Sequence, residues 1–308
     1  PTAVLTPQET DRLFQVVRNM RADGKAIVLI THKLHEVLSV SDEVAVLRKG
    51  KYIGTVKTSE ATAQSLTDMM VGRAVSLNID RPDPVDPKPR LKIEGLTCVD
   101  NLGIKRLDDV TFTAMSGEIL GIAGIAGSGQ RELLECITGL YPVEHGTVTF
   151  LPEGKPAQQL IGKTPNQIRK AGVAMAFVPE DRLGMGLVGS MGMGSNMMLR
   201  SWRKGKGAFV NRRDPNKLAM EVMEELEVVT PSISTPVRRL SGGNVQKVLV
   251  GREIAMSPSV LLTAYAVRGL DINTSYTIYN LLTQQKMKGS AVVFVGEDLD
   301  VLLELCDR

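Results

Sequence analysis

The sequence has no long apolar run. No stretch approaches the roughly 18 residues that a bilayer-spanning helix needs, and no secretory leader is visible. Cysteine is scarce: Cys98, Cys136 and Cys306 are odd in number and far apart. That spacing argues against a disulfide framework and suits a reducing compartment. Charge of one sign is missing too. A formal net charge of +3 over 308 residues is small for a dedicated nucleic-acid binder. Histidine occurs three times, as His32, His35 and His145. The length suits roughly two domains or one large one, and the ordinary apolar fraction can fill a sizeable core. The sequence begins at Pro1 and stops at Arg308 inside a regular pattern, so both ends are expected to be cut.

Glycine, by contrast, is placed with purpose. In Leu240-Ser241-Gly242-Gly243-Asn244-Val245-Gln246-Lys247, two glycines follow a serine just where the apolar spacing of Val245, Val248, Leu249 and Ile254 starts a helix. Free backbone N–H groups, the positive end of a helix dipole and a hydroxyl suit a phosphate there. The bland alternative is a Ser-capped helix and nothing more. A second glycine cluster, Gly124-Ile125-Ala126-Gly127-Ser128-Gly129-Gln130-Arg131, follows an apolar strand at 119–122 and leads into a helix carrying Leu133, Leu134 and Ile137. Its spacing is that of a phosphate-cradling strand-to-helix loop. The lysine that reaches the β- and γ-phosphates is replaced by Gln130, and the hydroxyl that ligates Mg²⁺ by Arg131. Guanidinium has only donors and cannot ligate a cation.

The sequence also repeats. With Pro1 laid on Ala266 and no gaps, Leu5 falls on Leu270, Gly24 on Gly289, Ala26 on Ala291, Val28 on Val293, Leu34 on Leu299, Leu38 on Leu303 and Asp42 on Asp307. Both copies read as helix, Gly-containing turn, buried strand, polar turn and helix, which predicts a duplicated domain. In the first copy, residues 6–22 read as a helix and 26–30 as a strand buried on both faces. His32 falls at that strand's carboxyl end, where parallel sheets place ligands. A hairpin is expected over 43–47 and 52–56 around Gly50. Residues 80–89 carry four prolines and read as an extended spacer. Further strands are expected at 91–96, 110–112, 174–178 and 259–263, and an amphipathic helix at 217–226. The Gly- and Met-rich stretch 184–198 has no clear period, and its methionines read as adaptable packing. His35 and His145 read as surface residues.

Leu-Ser-Gly-Gly with Gln-Lys after it resembles the signature motif of ABC-type ATPases, and the altered glycine loop resembles their Walker A. Pro179-Glu180-Asp181-Arg182 looks like the family's Q-loop, with Glu180 in place of glutamine. Residues 1–6 resemble the segment after Walker B, including the D-loop, and Ile30-Thr31-His32-Lys33-Leu34 resembles the switch-histidine motif. Met69-Met70-Val71-Gly72-Arg73 resembles the end of the first nucleotide-binding domain of sugar-type importers. Counted back from Gly269-Leu270-Asp271, Ala264 stands at the Walker B aspartate and Tyr265 at the catalytic glutamate, while Glu297 matches His32 in the repeat. Tyr265-Ala266-Val267 departs from the Gln-Pro-Thr that relatives more often carry.

The resemblance implies an α/β fold, a P-loop NTPase of the ABC type with a mixed β-core, an antiparallel β subdomain and a helical subdomain. It divides the chain into residues 1–76, the end of a first nucleotide-binding domain; 77–90, a linker; and 91–308, a second, degenerate domain. It implies ATP at Gly124, Gly127, Ser128, Gly129, Gln130, Arg131 and Glu180, with Ser241, Gly242 and Gly243 lent to the first domain's site. His32 is the expected catalytic residue, and Mg²⁺ belongs mainly to that first site. The expected function is an ATP-hydrolysing subunit for import of a sugar or nucleoside, peripheral on the cytoplasmic membrane face. Expected partners are transmembrane permease subunits, a second ABC domain or subunit and, indirectly, an extracytoplasmic solute-binding protein; no nucleic acid is expected. The alternatives are a soluble ABC ATPase using residues 200–213 on nucleic acid or ribosomes, and a structural pseudo-ATPase.

Overall fold

The computed structural model describes residues 5, 7–31, 33–48, 50–72, 79–125, 127–202 and 210–308. The chain divides into two compact units, Pro1–Asn78 with Gly269–Tyr276, and Ile79–Arg268 with Thr277–Arg308.

The larger unit is built on two sheets. One is antiparallel, in the order β4-β3-β6-β7, from β3 (Pro89–Val99), β4 (Lys105–Met115), β6 (His145–Phe150) and the short β7 (Gln158–Gln159). The other, β5-β10-β9-β8, is parallel throughout: β5 (Ile119–Ala123), β8 (Met175–Val178), β9 (Val260–Ala264) and β10 (Ala291–Gly296). Every residue of β9 and β10 is buried, as continuous apolar runs in a covered parallel sheet should be. Leu133, Leu134 and Ile137 of α4 (Gln130–Thr138) join Leu262, Val293 and Val295 in one core with Leu91, Ile93 and Val148 of the antiparallel sheet. Helices α6 (Met193–Ser201), α7 (Arg213–Glu225) and α8 (Gly242–Ile254) pack on one another. Met193 and Met197, fully buried, pack α6 in a stretch whose sequence had shown no period.

The smaller unit contains α1 (Pro7–Ala22), α2 (Leu34–Val40), the hairpin β1 (Glu43–Arg48) and β2 (Lys51–Lys57), and α3 (Ala63–Val71). Leu34, Val46 and Leu66 form its centre, and Ile272 packs against them. The 265-residue shift read from the sequence carries α1 onto α9 (Ile272–Met287) and α2 onto α10 (Leu299–Leu305), end residue for end residue.

The strand expected at 26–30 is not one. Residues 25–31 have no regular structure, and Val28 and Ile30 are each 88% exposed. The equivalent segment, β10, is sandwiched between β5 and β9. An apolar run becomes a central strand only when neighbours supply its ladder, because backbone N–H and C=O groups cannot be buried unpaired. No such neighbour exists for 25–31 among the described residues. The Pro-rich segment is not a free spacer either. Arg81 Nη1 donates to the carbonyls of Leu303 (2.8 Å) and Cys306 (2.6 Å), Lys286 Nζ donates to the Pro82 carbonyl, and Ile79 is buried.

Candidate functional site

The register of the parallel sheet lines up the ends of its strands. Ala123 stands beside Gly296, Ala264 beside Val295, and Val178 beside Thr263. The loops that follow therefore leave from one carboxyl edge, where α/β sheets bind ligands. They carry Gly124 to Arg131, Glu297, Tyr265 and Glu180.

The described residues at the end of the glycine loop turn into a helix as expected. Gly127 (φ 88°) and Gly129 (φ 94°) occupy left-handed conformations, and α4 begins at Gln130. At Gly129 a side chain would run into the Arg106 carbonyl, while the space beside Gly127 is open. Ser128 N–H donates to the Ile125 carbonyl at 3.3 Å. Gln130, only 5% exposed, folds back across the loop and donates Nε2 to the same carbonyl at 3.1 Å. Arg131 turns along α4 to Glu135 (Nε–Oε1 2.7 Å), a contact that raises its pKa further. The side chains do not fit a divalent cation: the hydroxyl position is a guanidinium, the aspartate position is the methyl of Ala264, and the described residues hold no metal-ligating cluster of three or more His, Cys, Asp or Glu.

Instead the edge holds an arginine that sequence reading missed. Arg268 Nη1 lies 2.6 Å from Glu180 Oε1 and its Nε 3.5 Å from Glu297 Oε1. Its guanidinium carbon is 5.7 Å from the centre of the Tyr265 ring. Tyr265 is buried in a left-handed conformation (φ 50°), and its phenol pKa is raised, first by burial and then by Glu180 and Glu297. A charged residue next to Gly-Leu-Asp was the available signal.

The signature turn lies at the start of α8. Ser241 is exposed and caps the helix, its Oγ accepting from Asn244 N–H (3.4 Å) and Asn244 Nδ2 (2.9 Å). Asn244 Oδ1 accepts from Val229 N–H at 2.9 Å. Gly242 faces Arg182: a side chain there would begin 3.3 Å from Arg182 Nη1. His32 lies outside the described residues. His35 and His145 are exposed, as read. Of the basic stretch, 203–209 lie outside the described residues, and Arg200 is committed to buried Glu253.

Fold and loops together define a P-loop NTPase fold of the ATP-binding-cassette type. The backbone is similar to a nucleotide-free ATP-binding cassette from an ABC transporter (TM-score 0.56, 21% identity, 71% of this chain and 86% of that one). It is also similar to a dimeric bacterial ABC transporter cassette (TM-score 0.59, 24% identity, 68% and 89%). Residues 107–263 match the family model described as ABC transporter, and the chain belongs to that family. Similar proteins include the guanosine import ATP-binding protein of Bacillus subtilis, 38% identical over all of this chain and 60% of that protein. Others are a glucose import ATP-binding protein of Haloferax volcanii (36% identical, all of this chain, 56% of that one) and a xylose import ATP-binding protein of Escherichia coli (36%, all, 60%). The chain thus spans 56–60% of the length of these relatives.

Proposed function

We propose that this chain is part of an ATP-hydrolysing subunit that powers import of a sugar or nucleoside through permease partners at the cytoplasmic membrane face. In this reading residues 91–308 are a second nucleotide-binding domain. It lends Ser241, Gly242 and Gly243 to a hydrolytic site whose other face belongs to a first domain, of which residues 1–76 are the end and His32 the catalytic residue. The helix bounds repeated at a 265-residue shift support the tandem arrangement.

One asymmetry carries the proposal. At the sheet edge, Gln130, Arg131, Ala264, Tyr265 and Glu297 stand where hydrolysis needs a lysine, a hydroxyl, two carboxylates and a histidine. The signature turn, twenty-odd residues before Ala264, is exposed, capped and intact. ATP bound between the domains would supply the triphosphate whose hydrolysis drives transport. This chain's part is to present the Ser241 hydroxyl and the first N–H groups of α8 to that anion. The Glu180 loop would carry the resulting motion to the permease. In the second domain the glycine loop can cradle a phosphate with its backbone, while metal-assisted chemistry falls to the first.

The test is Ser241→Arg in the whole subunit, assayed for ATPase and for solute uptake. Loss of a positioned donor set, with bulk added, should cut turnover about 100-fold or more. Turnover within about two-fold of the parent would overturn the composite site.

A further inference from the structure

The misfit between the sheet edge and Mg²⁺ raises a question the repeat alone does not answer. With neither metal nor the usual lysine, something else must join the loops that a metal–phosphate bridge would join. We propose that Arg268 is that joint: a resident cation that ties the loops after β8, β9 and β10 together and, through Arg182, positions the signature turn without nucleotide in its own domain. The functional meaning of the joint rests on the composite site proposed above; the joint itself does not.

The connections are specific. Arg268 lies in the loop after β9. It reaches Glu180, after β8, through Nη1 at 2.6 Å, and Glu297, after β10, through Nε at 3.5 Å. Its own carbonyl accepts from Arg182 Nη2 at 2.5 Å, and Nη1 of that guanidinium lies 3.3 Å from where a side chain on Gly242 would begin. Arg182 is partly buried, and burial lowers its pKa. A planar guanidinium is needed at 268, since separate N–H groups must meet two carboxylates from different strands while the plane lies over a ring. Exposed ion pairs contribute little singly, but here one cation is shared by two carboxylates on a buried Tyr265. Tyr265 is held at φ 50°, a conformation that costs a non-glycine residue free energy and is kept where surroundings enforce it. Glycine at 242 leaves room for Arg182. The path Glu297–Arg268–Arg182–Gly242 thus runs from the altered switch position to the signature turn.

Hydrogen exchange on the 308-residue chain tests this without hydrolysis. The readout is the amides of Asn244 and Val245, which donate to Ser241 Oγ and Ser241 O. Arg268→Met and Arg182→Met should each speed their exchange about five-fold or more, with α7 amides unchanged. Lys217→Met, which breaks an exposed pair on α7 with Glu221, should not. Arg268→Lys, keeping the charge and losing the fork, should give an intermediate rate. If Arg268→Met fails to fold, Glu180→Leu with Glu297→Leu removes both acceptors of the same joint from the other side and should give the same result. Unchanged Asn244 and Val245 exchange in a folded Arg268→Met chain overturns the proposal. So does a parent chain whose signature turn becomes protected only when Mg²⁺ and ATP are added. Failure here leaves the Ser241→Arg experiment untouched, and failure there leaves the joint standing as structure.

Discussion

Replacing Glu253 by glutamine removes the counter-ion at the base of the signature helix. Glu253, on α8, is completely buried. Its Oε1 accepts from Arg200 Nε of α6 (3.0 Å) and from Arg252 Nε (2.9 Å), its Oε2 pairs with Arg200 Nη2, and Phe177 N–H of β8 points at Oε2 (3.4 Å). Arg252, also buried, donates Nη2 to the Gly186 carbonyl at 2.7 Å, and burial already lowers its pKa. One carboxylate therefore fastens α8 to α6 and to the parallel sheet, and its partner Arg252 ties α8 to the turn beyond Glu180. The amide would leave a buried guanidinium without its charge partner. Breaking a buried pair from one side costs about 3–5 kcal/mol, and since Arg200 is one-third exposed and can turn to water, the lower figure applies. For a unit of this size that lowers the melting temperature by about 6–12 °C. Thermal melting followed by circular dichroism measures it. Arg252→Met combined with Glu253→Leu should be clearly more stable than Glu253→Gln alone, because it removes both buried charges. A Glu253→Gln chain within about 1 kcal/mol of the parent would refute the reasoning, since ordinary surface changes reach only half of that.

Three other outcomes follow from single features. Gly129→Ala should cost about 2 kcal/mol or more in denaturant titration, because the residue sits at φ 94° with its missing side chain aimed at the Arg106 carbonyl. Cys98, Cys136 and Cys306 are all buried, and burial raises each thiol's pKa, that of Cys306 to about 12. None should react with iodoacetamide in the folded chain at neutral pH. Because the folded pKa values are raised, their contribution to stability is fully present below the unfolded value of about 8.5 and declines as pH climbs above it, for Cys306 until about 12, by up to about 1.4 kcal/mol per unit per thiol. Val28→Lys with Ile30→Lys should reduce light scattering on concentration without lowering the melting temperature, since both side chains already face water in an unpaired apolar segment.

Most of the larger unit could be read from residue patterns, because its strands and helices are local statements with their partners present. The runs at 259–263 and 291–295 gave β9 and β10, and the glycine turns placed α4 and α8 at their caps. The pair 26–30 and 291–295 shows where such reading stops. The same alternation-free apolar pattern is a central strand in one place and exposed chain in the other, because strand formation is decided by neighbours that the segment itself does not encode. The candidate site divides in the same way. The departures from the family's motifs at Gln130, Arg131, Ala264, Tyr265 and Glu297 are expectations that the sequence offers position by position. What surrounds them is not legible there, since Arg268 meets Glu180 across 88 residues of sequence and takes its meaning only from the parallel register. The Gly- and Met-rich stretch hid α6 because small and flexible residues blur the helical period, although Met193 and Met197 turn inward four residues apart.

The substitutions at the sheet edge share an electrostatic logic that can be tested on its own. Carboxylates gathered at a strand end are stable when a divalent cation sits among them. Without it they repel, and buried ones must take up protons. With a guanidinium at Arg131 and no ligating hydroxyl there, a carboxylate at 264 would be buried without a cation to offset it. Ala264→Asp should therefore destabilise the chain at neutral pH by about 3 kcal/mol, since the position is only 3% exposed and Glu180 and Glu297 stand near its neighbour Tyr265. The new carboxyl would have a raised folded pKa, so its penalty is absent below the unfolded value near 4 and grows as pH rises through it. Melting curves of parent and variant should converge as pH falls toward 4 and separate above it, and millimolar Mg²⁺ should not close the gap while Arg131 remains. A gap independent of pH would mean that volume, not charge, decides the residue at 264, and a gap closed by Mg²⁺ would mean that the edge still holds a metal.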